Sequence, residues 1–321
     1  MKTSLRTFIL LIMAFACAAG ALAANVRPNN NYVVREVPTG DFDALRTSTS
    51  LDIVYTTGPR KVEIYAPDNL IGYIQVTVAG KELRVNYKEN MNIQGKHKSC
   101  ILVSAPAVRR FTTTSSGDIE IKSPISLKND KIELHTTSAG DIEALSIKAK
   151  EVALRVSSAG DITTQDILAD VVSISTNSSG DIEVKEVVAG KEAKAHTSSA
   201  GDIHIGEISA PAVSLCSSSS GDILTVVKAD NTDVAATSSG DVTVSGICSV
   251  AKLTSASSGN IDARKLKAAV VNVAATSSGD IYCWALKQIN GFCSGQGSIR
   301  YKKTSAAINI TANRNSDIRP L

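Results

Sequence analysis

The sequence is poor in cysteine, proline and aromatic residues, and the cysteine shortage excludes two classes of small domain. Six cysteines and eight prolines occur in 321 residues, and aromatic residues make up 4%. Five cysteines follow a predicted leader, and an odd, widely spread set is not a disulfide framework. No Cys-x-x-Cys or Cys/His spacing occurs, so a zinc site is not predicted. The five cysteines are Cys100, Cys216, Cys248, Cys283 and Cys293.

Long apolar runs are missing except at the start of the chain. A positive beginning, apolar residues 8–16 and small residues 21–23 are typical of a secretory signal peptide over residues 1–23. The apolar segment is too short for a membrane span, and no later segment is predicted to cross a membrane. Lipidation at Cys17 is the alternative to ordinary cleavage. We therefore expect an exported protein that is periplasmic, attached to the cell envelope or secreted.

What the chain has in abundance is one phrase, Ser-Ser-Gly-Asp-Ile, or a close variant of it. Successive motif glycines are 18 to 23 residues apart, when a degenerate copy at Gly297 is included. A period this regular indicates a stacked repeat architecture. The motif glycines, which we interpret as structural turn residues, are Gly117, Gly140, Gly160, Gly180, Gly201, Gly221, Gly240, Gly259 and Gly279.

Residues on both sides of each motif alternate between apolar and polar, as in Ile132-Glu133-Leu134 and Ile119-Glu120-Ile121. Period two is that of a strand with one buried face. Glycine suits a corner that needs positive φ or a close backbone approach. Because one such unit cannot bury its apolar side alone, the sequence predicts an all-β protein: a right-handed parallel β-helix, or β-solenoid, with coils of about 20 residues. A β-sandwich is the alternative, but it needs no repeated corner.

Each predicted coil holds two short strands around the motif and a second bend further on. A residue seven positions after the glycine is apolar in most coils, and we expect it to be buried. These residues are Ile147, Ile167, Val187, Ile208, Ile247, Leu266 and Leu286.

The regions outside the repeat are predicted to cover its ends. Residues 24–40 are a polar leader, and residues 41–111 are irregular β capping coils continuous with the solenoid, in which Leu51 takes the glycine position of a first motif. Residues 112–303 form the Gly-Asp repeat, and residues 304–321 form a C-terminal cap or tail. Caps are expected because an open coil would present an unpaired strand edge.

The motif aspartates should form a column on the solenoid. A structural role, in which each carboxylate accepts backbone or serine hydrogen bonds at its turn, is the preferred interpretation. The alternative is weak binding of divalent cations, although one carboxylate per coil supplies few of the ligands that calcium needs. No cofactor is predicted. The column contains Asp118, Asp141, Asp161, Asp181, Asp202, Asp222, Asp241 and Asp280.

Charge is unevenly distributed along the chain. Residues 117–259 contain 11 Lys and Arg against 20 Asp and Glu, whereas residues 260–321 contain 9 against 3. An acidic body with basic ends disfavours nucleic-acid binding, which needs an extended basic face. The same asymmetry leaves self-association of the protein open.

No catalytic set is predicted. His135 and His196 fall in one outward column but three coils apart, about 14 Å, and His97 and His204 have no evident partner. The serines form no Gly-x-Ser-x-Gly elbow, and the short coils leave little room for the long loops of a polysaccharide-cleaving cleft. A disulfide between Cys283 and Cys293 is left open.

Aromatic residues are concentrated outside the middle of the repeat. They either cover the ends of the solenoid or form a patch that contacts a sugar or another partner, since exposed aromatics give a large contact area. Trp284 and Tyr282 are the candidates for that contact.

Taken in order, several short motifs resemble a known bacterial family. Leu51-Asp52-Ile53-Val54-Tyr55 is followed by Val62-Glu63-Ile64, by Ser104-Ala105-Pro106 and then by the Gly-Asp repeats. This arrangement is similar to the family described as "putative auto-transporter adhesin, head GIN domain". The resemblance implies an exported β-helix with a role in adhesion and carries no catalytic residues. We expect a non-catalytic protein that binds a surface partner or glycan, with a periplasmic scaffold or envelope-stress protein as the alternative and a polysaccharide-active enzyme as a weaker one.

Overall fold

The computed structural model describes residues 24–89, 91–313 and 316–321; the predicted signal peptide and Cys17 lie outside them. The one helical element of these residues is a 3-10 turn at Ile71–Tyr73. The strands are β1 Ala24–Val26, β2 Tyr32–Glu36, β3 Ala44–Thr47, β4 Asp52–Thr57, β5 Lys61–Pro67, β6 Ile74–Ala79, β7 Glu82–Tyr87, β8 Met91–Ile93, β9 Cys100–Ala105, β10 Arg110–Thr113, β11 Ile119–Ile121, β12 Ile125–Thr136, β13 Ile142–Val156, β14 Ile162–Thr176, β15 Ile182–Thr197, β16 Ile203–Ser217, β17 Ile223–Ala236, β18 Val242–Ser255, β19 Ile261–Ala275, β20 Ile281–Cys293, β21 Ser298–Tyr301, β22 Ala307–Ala312 and β23 Asp317–Pro320.

The repeat forms a stack of parallel coils. From β12 to β20 each strand pairs in parallel with the next over most of its length, so one coil of the stack is one repeat of the sequence. This confirms the predicted β-solenoid of about ten turns with roughly 20 residues each. We call residues 110–297 the repeat stack.

Each coil consists of three straight segments. In β14 the burial alternates strictly except at residues 165–166 and 170–171, where two neighbouring residues are both outside the core. These phase changes mark two bends, and the Ser-Ser-Gly-Asp turn closes the coil. The sequence predicted two short strands per coil, whereas a single strand runs through both bends because the ladder to the next coil continues there.

Like side chains stack inside the solenoid. The motif isoleucine at Ile162 lies between Ile142 and Ile182 and is fully buried. Each buried aliphatic side chain of this size contributes about 1.5–3 kcal/mol. One continuous hydrophobic core extends from Phe42 to Ile299, so the stack and the residues before it share a single interior.

Two of the residues predicted to be buried seven positions after the glycine are exposed instead. Ile247 pairs with Lys228 on the outer surface, because β17 has one residue fewer than β16 at this point and β18 keeps the register of β17. Gly246 therefore lies beside the buried Val227, and Cys248 faces the core. Leu286 is also outside: the register shifts between β19 and β20, and Ala285 takes the inward position over Ala268. The other five positions are buried.

Residues 24–109, the N-terminal section, contain antiparallel strand pairs that the sequence did not predict. Antiparallel pairs β2–β5, β5–β9 and β6–β7 lie beside parallel pairs that lead into the stack. A tight turn joins β6 and β7, in which Gly80 and Lys81 both have positive φ, as a two-residue hairpin that matches strand twist requires. The polar leader contains β1 and β2, which pair with β8 and β5.

The C-terminal tail continues the stack. Strand β22 pairs in parallel with β20, and β23 with β21, so the tail adds one more coil to the stack. Most side chains of β22 are exposed. Within the described parts of the chain, no strand pairs with the outer edge of β22 or β23.

Candidate functional site

The motif aspartates form a ladder that joins neighbouring coils. The Oδ1 of Asp161 accepts the backbone N–H of Asp181, the motif residue of the next coil, at 2.8 Å. The same bond, at 2.7–3.0 Å, repeats ten times, from Asp52 to Ser298. Asn260 occupies one position with its amide oxygen. We call Asp52, Asp118, Asp141, Asp161, Asp181, Asp202, Asp222, Asp241, Asn260 and Asp280 the aspartate ladder.

This geometry gives each ladder carboxylate a structural partner. The N–H donor belongs to the next coil and not to the aspartate's own turn. The sequence did not show which of the two would donate. Among the residues that the structure describes, no group of three or more His, Cys, Asp or Glu side chains is placed to hold a metal ion.

The motif glycines are required by close approach and not by positive φ. None of the nine has a left-handed backbone conformation. A Cβ on Gly201 would collide with the carbonyl oxygen of Gly180, and the equivalent collision occurs at every motif glycine. In several coils a buried hydroxyl four residues before the motif glycine donates to the carbonyl oxygen of that glycine, as Thr197 Oγ1 does to Gly201 at 2.7 Å. The turn column therefore fixes the spacing between coils.

The two predicted contact residues lie in a basic aromatic cluster near the C-terminal end, formed by Arg264, Lys267, Tyr282, Trp284 and Lys302. The Nζ atoms of Lys267 and Lys302 lie 5.1 and 3.6 Å from the centroid of the Trp284 ring. The guanidinium of Arg264 lies 4.9 Å from the Tyr282 ring. Such cation–π contacts contribute about 0.5–1 kcal/mol each at exposed sites.

Trp284 is not an open stacking surface. Its side chain is partly buried, and its Nε1 is buried without a hydrogen-bond partner in the described structure. Lys267 and Lys302 have no carboxylate within ion-pair distance in that part of the chain, whereas Lys191, Lys194, Lys228 and Lys252 in the stack are paired. The cluster thus concentrates unneutralised positive charge around one indole.

A cavity of about 460 Å³ adjoins the cluster. Arg264 enters its wall and donates hydrogen bonds to both carboxylate oxygens of Asp262, which lowers the pKa of that carboxyl. Lys265 lies beside it without an acidic partner within ion-pair distance among the described residues. The cavity is lined by Leu224, Thr243, Val244, Ser245, Asp262, Arg264 and Lys265.

A second concave site lies at the opposite end of the stack, and sequence reasoning missed it. His97 Nδ1 is 3.0 Å from Ser99 Oγ, and the His97 ring packs edge-on against Tyr87. Burial lowers the pKa of His97, which the nearby Asp52 carboxylate opposes. His97 therefore has partners that the sequence did not reveal, because they come from strands far apart along the chain.

The remaining predicted residues are placed as follows. His135 and His196 share a column through Arg155 and Ser175, three coils apart. Cys283 and Cys293 are buried free thiols on different segments of one strand, β20, so no disulfide joins them. Burial raises the pKa of Cys283 to about 12, which keeps this thiol protonated and inert.

Comparison with known proteins gives one family and several solved structures. A family profile described as "Putative auto-transporter adhesin, head GIN domain" matches residues 41–207 and 193–305. No curated protein matches the chain. Among the described residues, no helix is long and apolar enough to cross a membrane.

Three of the similar solved structures span nearly the whole chain at low identity. A protein titled a putative adhesin from Bacteroides fragilis is 21% identical and covers 92% of this chain and 100% of its own, with a TM-score of 0.30. One with the same description from Parabacteroides merdae is 15% identical, with coverages of 93% and 100% and a TM-score of 0.43. A "putative lipid binding protein" from Parabacteroides distasonis is 17% identical, with coverages of 93% and 100% and a TM-score of 0.36.

Proposed function

The chain belongs to the family described as "putative auto-transporter adhesin, head GIN domain", and from this premise we propose that it is an exported, non-catalytic adhesin that binds an anionic surface glycan. The observation that carries the proposal is the unpaired positive charge around Trp284. Lys267 and Lys302 flank the indole, and Lys265 continues the unpaired positive charge to the adjoining cavity, where Arg264 is paired with Asp262.

The charges favour an acidic polymer over a neutral one. A neutral sugar would have to displace a lysine to stack on Trp284, whereas carboxylate or sulfate groups would pair with both ammonium groups where they already lie. The acidic middle of the chain would direct an anionic polymer towards this end.

Dextran sulfate and neutral dextran are matched probes for this proposal. We expect the protein to bind dextran sulfate in a pull-down or by surface plasmon resonance, with affinity that falls as salt is added, and to bind neutral dextran weakly. The double variant Lys267→Glu/Lys302→Glu should weaken binding by about tenfold or more.

Lys148→Glu is the control, because Lys148 is exposed and lies in the same outward column as Lys267, connected through Leu168, Val188, Ser209, Lys228 and Ile247. It should retain nearly full binding. Equal binding of both dextrans, or equal loss in the control, would contradict the proposal.

The alternative function, a periplasmic scaffold or envelope-stress protein, is favoured by the single continuous core, which makes the rod a rigid spacer. Protease treatment of intact cells separates the two. An adhesin should be cleaved or released when protease is added outside, whereas a periplasmic scaffold should be protected until the outer membrane is opened.

A further inference from the structure

The pocket around His97 has a volume of about 610 Å³. It lies where four adjacent parallel strands begin, in the order β9, β4, β11 and β13. Residues 97–100 form its outer wall, and Tyr65 of β5 closes one side. Pockets of this volume are typical of small-molecule sites and are much larger than the site of a single ion.

The walls of the pocket are held in place by contacts between distant parts of the chain. The backbone N–H of Lys98 donates to the Tyr32 hydroxyl at 2.9 Å, and Tyr32 stacks on Tyr65 with ring centroids 5.1 Å apart. Ser99 is buried and contacts His97. The pocket is therefore a built cavity with an aromatic wall, and not only a group of surface acids.

Its lining is strongly acidic. Five carboxylates face it, and Lys98 is its one lysine. Glu120 is paired with Lys122, but the structure gives no cationic partner within ion-pair distance to the other four among the described residues. The five are Asp52, Asp118, Glu120, Asp141 and Glu143.

Asp52 is harder to ionise than a free aspartate. Desolvation raises the pKa of Asp52, and repulsion from Asp118 adds to the rise, against the hydrogen bond that the Asp118 N–H donates and the attraction of His97. The half-buried Cys100 thiol has a raised pKa, first from burial and then from Asp52.

We propose that this pocket binds an organic cation that carries ammonium or guanidinium groups. Four unpaired carboxylates supply charge-assisted acceptors, and Tyr65 supplies an aromatic surface against which a cation is stabilised. A linear polyamine or a basic side chain of another protein has this chemistry. The inference is independent of the proposed adhesion, because the basic aromatic cluster lies near the other end of the stack.

Isothermal titration with spermidine tests the proposal on the full mature chain. We expect binding that weakens with salt, and no binding of fully acetylated spermidine, which keeps the shape and loses the charge. A tri-lysine peptide forms the second arm: tighter binding of spermidine identifies a free polyamine as the source, and tighter binding of the peptide identifies a protein side chain. Either result supports a cation site.

Asp141→Asn/Glu143→Gln is the decisive variant. Asparagine keeps the ladder bond, as Asn260 shows, so the variant should fold. Asp181→Asn/Glu183→Gln is its matched control, because it makes the same changes in the same two columns two coils further along. The pocket variant should bind spermidine about tenfold more weakly, and the control should bind within about twofold of the parent.

Three results would overturn the proposal: no heat from spermidine or the peptide at millimolar concentration, an equal loss in the control variant, or equal binding of acetylated spermidine. Stoichiometric binding of Ca²⁺ that blocks spermidine would also overturn it, since the pocket would then be a metal site. Circular dichroism spectra of both variants should match that of the parent, because asparagine keeps the ladder hydrogen bonds.

Discussion

The N-terminal section and the repeat stack share one hydrophobic core, yet they are stabilised in different ways. The N-terminal section mixes antiparallel and parallel pairs and buries large side chains, among them Tyr55, which packs against Phe111 at the start of the stack. The stack uses small turn residues and repeats one set of contacts in every coil. Side-chain volume therefore dominates in the first region, whereas backbone spacing dominates in the second.

The comparison also explains where concave sites occur. In the stack, the cavity of about 460 Å³ lies where the register shifts between β18 and β19, at Thr243 and Ser245. At the junction with the N-terminal section, residues 97–100 project past the regular coils and enclose the acidic pocket. A break in the repeat is thus what creates a cavity.

The largest effect should come from removing the aromatic contact that joins the two regions. Phe111 is fully buried, and its ring lies 5.2 Å from that of Tyr55. Phe111→Ala should lower the free energy of unfolding by about 4 kcal/mol, measured by denaturant unfolding followed by circular dichroism. Phe292→Ala removes an exposed ring and should change stability by less than about 1 kcal/mol. A similar loss of unfolding free energy in both variants would show that the contact between Tyr55 and Phe111 is not critical for stability.

A methyl group in the turn column should have the next largest effect. Gly201→Ala places a Cβ against the carbonyl oxygen of Gly180, so adjacent coils must move apart. We expect a loss of about 3 kcal/mol, with the same denaturation measurement. Gly72→Ala, in the N-terminal section, meets open space and should be neutral or slightly stabilising. If Gly201→Ala were tolerated equally well, close approach would not be the reason for glycine.

Breaking one rung of the aspartate ladder should have a smaller effect. Asp181→Ala removes the acceptor for the Asp202 N–H and should cost about 1 kcal/mol. Asp181→Asn keeps an amide oxygen there and should be close to neutral, as the natural Asn260 indicates. Thermal unfolding of both variants distinguishes these outcomes. Equal destabilisation by both would mean that the charge, and not the hydrogen bond, is what matters.

The smallest effect is a pH dependence at the junction. The pKa of Asp52 is raised above its usual 3.8, first by desolvation, so the folded state favours the protonated form. The stabilisation contributed by Asp52 is therefore greatest below pH 3.8 and is lost as pH rises through the raised pKa. Relative to Asp52→Asn, the parent should lose stability between pH 3 and pH 7 in unfolding titrations. An opposite slope would indicate an unrecognised cationic partner.

Much of the stack could be predicted from the sequence, because the Gly-Asp period and the alternation around it both report a local geometry that recurs every coil. The fully buried Ile162 and the outward Thr163 follow directly from that pattern. Ile247 and Leu286 could not be placed, since register shifts between β16 and β17 and between β19 and β20 move them outside. Counting from the glycine cannot detect such shifts.

The candidate sites were predicted less completely. Trp284 and Tyr282 were identified by composition alone, but the lysines over the indole come from neighbouring coils and became evident only in the structure. The pocket around His97 was missed because Asp52, Tyr65 and Asp141 are far apart in sequence and meet only through the order of the strands. Antiparallel pairing in the N-terminal section was missed for the same reason.

The ladder bond from each aspartate to the following motif has a consequence for how this molecule can vary. Every rung inside the stack is made between chemically equivalent neighbours. A whole repeat could therefore be gained by tandem duplication, or lost by deletion, and the coils brought together would still form the same hydrogen bond. Each such event would change the rod by about 4.8 Å, one strand spacing. The separation between the acidic pocket and the basic aromatic cluster would then change in whole steps, while both ends kept their chemistry.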